Sequence, residues 1–107
     1  MTNEQLNQVV DERCKLIKSI LIEKAIQYAR GDRLSNFKKI AAFRNKEPEE
    51  ALMGLVVKHI VALDDFVQDL PHTVMQRDQW KEKIGDIINY MILLEAIVDE
   101  RFSFPPD

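Results

Sequence analysis

Apolar residues recur at three- and four-residue steps through three long segments of this chain, which is the repeat of an α-helix and not the alternation of a strand. Leu6, Val9, Val10, Leu16, Ile17, Ile20 and Leu21 form the first stripe. Leu52, Leu55, Val56, Ile60, Leu63, Phe66 and Val67 form the second. Trp80, Ile84, Ile87, Ile88, Met91, Leu94 and Val98 form the third. Three glycines and four prolines in 107 residues leave few breaks between them. The pattern predicts an all-α protein: an antiparallel helical bundle of three long helices and one short helix, in a single domain over residues 1–107.

Local signals set the expected boundaries. Thr2 and Gln5 have capping-box spacing, so the first helix is expected over about residues 4–29. Gly31 suits a left-handed helix end and Asp32 a cap for a short helix over about 33–43, with Leu34, Phe37, Ile40 and Ala41 inward. Pro48, followed by Glu49 and Glu50, starts a third helix that runs to about Asp69. Pro71, His72 and Thr73 end it, and Thr73 with Gln76 is placed to cap a fourth helix from Val74 or Asp78 to Arg101. An extended tail is expected over about 102–107.

Composition narrows the function classes. Cys14 is the only cysteine, which rules out an intrachain disulfide and a thiolate metal site and fits a reducing, cytoplasmic home. No apolar run of membrane-spanning length exists, and the polar start Met1–Gln5 lacks the basic residues of a signal peptide. The net charge of −3 argues against a general nucleic-acid binder but leaves room for a pocket that takes one small anion.

Arg13, Lys24, His59 and Asp86 sit on or beside the apolar stripes, where an unpaired polar group costs several kcal/mol. His59 lies near the centre of the second stripe. It is either a core histidine satisfied by its neighbours or a group that contacts substrate or metal-bound water. Lys24 leads into a segment with Tyr28, Arg30, Arg33, Asn36 and Lys38, which is either a phosphate-holding cluster or a solvated basic turn. Glu82, Asp86 and Asn89 run along one edge of the fourth helix and offer the oxygen ligands that Mg²⁺ uses, unless Asp86 instead bridges to Lys24 or His59. Val57 and Val61 lie opposite the second stripe. A helix that is apolar on two sides touches two partners, and the second is expected to be another subunit.

Two stretches resemble a known family. Lys24-Ala-Ile-Gln-Tyr28-Ala29 followed by Asp32-Arg-Leu-Ser-Asn36-Phe37 looks like the opening of small phage and prophage proteins, whose later segments resemble Ala51–His59 and Glu82–Tyr90. These are similar to the all-α nucleoside triphosphate pyrophosphohydrolases, the MazG-like and dimeric dUTPase-like superfamily, and to a nucleotide-modification-associated group. The resemblance spans about residues 24–100. It implies a bundle that often dimerises, a Mg²⁺ site made of acidic residues on two helices, and cleavage between the α- and β-phosphates of a nucleotide.

Asp86 matches the aspartate of the family's E-x-x-D. Lys83 stands where the paired glutamate belongs, with Glu82 one position off, and Lys58-His59-Ile60-Val61 replaces an expected E-x-x-E. On this reading Glu82 and Asp86 hold Mg²⁺, and His59 and Asp86 are the catalytic groups. Lys24, Tyr28, Asn36, Phe37 and Asn89 bind a nucleotide or another small phosphate ligand. Phe37 or Tyr28 would stack on the base and Lys24 would hold phosphate. The incomplete acidic motif leaves room for binding without hydrolysis but favours the competing reading, whereas the Asn36-Phe37 loop, which a mere spacer would not need, favours nucleotide handling. The competing reading is a non-catalytic helical homodimer, a structural or interaction protein whose polar core groups fix helix register.

Overall fold

The computed structural model of the chain describes residues 1–23, 31–70 and 77–102, and every regular element among them is helical. Contacts gather the chain into two compact units, 1–33 and 34–107.

In the first unit, Thr2 Oγ1 accepts from the Gln5 N–H at 3.1 Å, while Gln5 Oε1 accepts from the Thr2 N–H at 2.8 Å. This reciprocal cap starts α1, Asn3–Lys18. A π-helical turn, Ser19–Glu23, follows. Wider turns of this kind rotate the side chains after them out of a 3.6-residue register, so the periodicity alone does not anticipate it. The expected continuation to residue 29, with Lys24 and Tyr28, lies outside the described residues. No residue of α1 is buried. Gly31 has φ +91°, the left-handed geometry expected of it at a helix end. Arg33 Nη1 donates to the Leu21 carbonyl at 2.8 Å, tying the segment after Gly31 back to the π-helical turn.

The second unit holds α2, Ser35–Arg44; α3, Pro48–Asp69; and α4, Arg77–Phe102. α2 begins two residues later than the sequence suggests, and the residue at its N-cap is Leu34, not Asp32. Leu34 is only 6% exposed and contributes no side-chain cap. Burial of an apolar side chain sets the entry to this helix where a polar cap was expected. Asn45 closes α2 in the left-handed region at φ 55°, and the Lys46 N–H donates to the Ala41 carbonyl at 2.8 Å. Pro48 opens α3, and the Glu47 N–H donates to Glu50 Oε1 at 3.4 Å. Helical structure extends through Phe102, which was expected to begin the tail. The proposed Thr73/Gln76 cap and residues 103–107 lie outside the described residues.

α3 packs against both α2 and α4. The core joins Leu34 at the N-cap of α2, Phe37 from α2, Leu52 and Val56 from α3, and Ile97 from α4, with Leu55, Tyr90, Leu93 and Leu94 packed against it. Arg101, near the end of α4, pairs with Glu47 at 3.1 Å and with Glu49, both at the start of α3. The two helices are therefore antiparallel. Lys38 pairs with Glu100 and ties α2 to the same end.

The buried faces differ from the stripes read off the sequence. Ile60 and Val67 of α3 are 45% and 49% exposed, and Ile84 and Met91 of α4 are both 38% exposed. α4 turns inward the sector that carries Asn89, Tyr90, Leu93 and Ile97. Both helices are apolar around more than half their circumference, so periodicity fixes the element type but leaves the choice of inward face to the partner helices. Among the described residues, no helix is long and apolar enough to cross a membrane.

Candidate functional site

Antiparallel packing of α3 on α4 brings His59 to Asp86. Nδ1 of the imidazole lies 3.9 Å from the carboxylate Oδ2. The two side chains remain 32% and 38% exposed, so the pair opens to solvent and is not sealed within the core. One helical turn beyond Asp86, the ring of Tyr90 lies 5.2 Å from the His59 ring at an interplanar angle of 41°. Phe37 of α2 meets the same tyrosine edge-on, with ring centres 6.4 Å apart and planes at 72°. An imidazole, a carboxylate and two aromatic rings from three helices thus form one contiguous cluster.

Asn89 adds a second kind of signal. Its residue is only 8% exposed, and its side-chain Oδ1 finds no donor among the described residues. An orphaned buried acceptor costs about 1–3 kcal/mol, and nothing in the packing of the core requires an amide there. It lies on α4 between Asp86 and the buried Ile97, on the inward side of the helix.

The remaining predicted site residues divide. Phe37 is buried and belongs to the core, so it stands behind Tyr90 and braces it. Tyr90 is thus the partly exposed ring of the cluster. Sequence reasoning placed Tyr90 in the sector of Asp86 without giving it a role; its position four residues beyond the aspartate was the available signal. Asn36 is exposed on α2, and among the described residues no hydrogen bond joins it to the cluster. Lys24 and Tyr28 lie outside the described residues.

Glu82 is exposed one turn before Asp86. Among the described residues, no group of three or more His, Cys, Asp or Glu side chains is arranged to hold a metal ion. Two carboxylates on one helix edge do not make an acidic cage. Lys83, which stands where the family resemblance places a glutamate, holds its Nζ 5.8 Å from the centre of the Phe66 ring and so serves the α3–α4 contact.

A hollow of about 290 Å³ lies at the far end of this unit, lined by Leu34, Lys38, Glu47, Ile97, Glu100 and Arg101. Its cations are already matched by the ion pairs described above, while Glu49, which pairs with Arg101 there, keeps Oε2 as a second buried acceptor without a donor among the described residues.

Comparison with family models, with curated proteins and with solved structures returned no match.

Proposed function

We propose that this chain is a nucleotide-handling protein that binds a nucleoside triphosphate at the His59–Asp86–Asn89–Tyr90 cluster. The observation that carries the proposal is the convergence of an imidazole, a carboxylate and an aromatic ring at a half-exposed position, with the buried Asn89 next to Tyr90 in the chain. A histidine–aspartate contact that served the fold alone would not need an adjacent aromatic ring and a buried acceptor without a donor among the described residues. Tyr90 offers a face for the base, Asn89 Oδ1 an acceptor for an exocyclic amine, and His59 a donor for a phosphate oxygen. A Mg²⁺ ion bound through Glu82 and Asp86 would neutralise phosphate charge. Two carboxylates support binding better than hydrolysis, as does the replacement of the expected acidic pair on α3 by Lys58 and His59. The resemblance to phage and prophage proteins of the pyrophosphohydrolase superfamily agrees with this ligand class.

Thermal unfolding tests the proposal. A ligand present at 100 times its Kd stabilises the native state by about 2.7 kcal/mol, which in a domain this small raises Tm by roughly 10 °C or more. Such a shift is expected with at least one deoxynucleoside triphosphate and Mg²⁺. In Asp86→Ala the shift should vanish while far-ultraviolet dichroism is unchanged, because a half-exposed polar contact contributes only about 0–1 kcal/mol to folding. No shift with any nucleotide at millimolar concentration would reject the proposal.

A second reading, a non-catalytic helical homodimer, is favoured by a different observation. Large apolar side chains remain exposed on α1, on α3 at Met53, Val57, Ile60 and Val61, and on α4. Surface of this kind marks an interface.

A further inference from the structure

Phe43 is 92% exposed, more than any other large apolar side chain among the described residues, and no second one is exposed on α2. Asn36 and Lys39 precede it by seven and four positions and share its outward face of the helix, opposite the buried Phe37 and Ala41. Arg44 follows it in the chain, and Lys46 comes just after the left-handed Asn45 that closes the helix.

The charge around this ring is one-sided. From Arg33 to Lys46 the sequence holds five cations and no carboxylate, in a chain whose net charge is −3. Among the described residues no carboxylate pairs with Lys39, Arg44 or Lys46, and all three are exposed. The acids that come next in the chain are engaged elsewhere. Glu47 and Glu49 pair with Arg101, and Glu50 accepts from the Glu47 N–H. Three unmatched cations beside one bare ring are complementary to a polyanion that also carries flat apolar faces. A protein partner held by apolar contact needs a contiguous patch, and a membrane surface needs a broad apolar helix face; one ring supplies neither. It does supply a platform on which an unpaired base can stack while the adjoining phosphates meet the cations.

We infer that the outward face of α2 binds single-stranded nucleic acid, with one base stacked on Phe43 and neighbouring phosphates held by Lys39, Arg44 and Lys46. The overall negative charge opposes broad binding of duplex, whose bases are in any case not free to stack. The inference is independent of nucleotide binding at the His59 cluster.

Fluorescence anisotropy of a labelled oligodeoxythymidylate titrated with the full chain at low salt should show saturable binding. The logarithm of affinity should fall against the logarithm of salt concentration with a slope of about −2, from three phosphate contacts at about −0.7 each. Phe43→Leu, which keeps apolar bulk but loses the ring, should weaken binding about tenfold or more, and Phe43→Tyr should preserve it. Lys39→Ala should flatten the salt slope by about 0.7. Absence of binding at low salt would overturn the inference, as would a Phe43→Leu chain that binds as tightly as wild type. So would equal affinity for a duplex, or displacement of the strand by polyglutamate as readily as by unlabelled strand, the mark of a site for an acidic protein segment.

Discussion

Leu52→Ala is expected to lower the unfolding free energy by about 2–5 kcal/mol. Leu52 has no exposed surface and lies in the cluster of Leu34, Phe37, Val56 and Ile97, where all three helices of the second unit meet. Truncation removes buried methyl groups and leaves a void that neighbours on three separate helices cannot all move to fill. Ile60→Ala on the same helix should cost about 1 kcal/mol or less, since Ile60 is 45% exposed. Urea unfolding of the two variants reads the difference as a shift in midpoint at constant slope. Equal losses would mean that α3 packs through the stripe centred on Ile60, with the face described here wrongly assigned.

Asn89→Leu should act in the opposite direction on stability. The leucine is close in shape, removes the buried acceptor that has no donor, and should raise the unfolding free energy by about 1–2 kcal/mol. The same change should abolish nucleotide-dependent stabilisation, because the carbonyl oxygen it deletes is the group assigned to the base. A gain in stability coupled to a loss of binding is the signature of a polar group kept for a ligand. Destabilisation by Asn89→Leu would show instead that the amide serves the packing of α4, and would remove Asn89 from the site.

The element types were legible because a 3.6-residue repeat can be satisfied in only one kind of backbone, and the Thr2–Gln5 cap, the Gly31 helix end and the Pro48 start follow from local chemistry alone. The inward faces were not legible. α3 and α4 carry apolar residues on two sides, and nothing in a single sequence says which side meets the neighbouring helix and which stays open. Leu34 displaced Asp32 at the start of α2 for a related reason, since tertiary burial outweighed a cap worth about 1 kcal/mol. His59 and Asp86 could be paired in advance because each is a polar residue on or beside an apolar stripe. Tyr90 could not be assigned a role, because an aromatic residue at helical spacing reads as core until its neighbours are known. The orphaned Oδ1 of Asn89 is a property of three-dimensional surroundings, invisible at the level of residue type.

The central claim is that the His59 cluster is a nucleotide site, and backbone amide chemical shifts recorded during titration with a deoxynucleoside triphosphate and Mg²⁺ test it most directly. The predicted result is a set of saturable shifts centred on His59, Asp86, Asn89 and Tyr90, smaller at Phe37, and absent at the far end around Glu47 and Arg101. Shifts confined to that far end, or none at millimolar ligand, would contradict it.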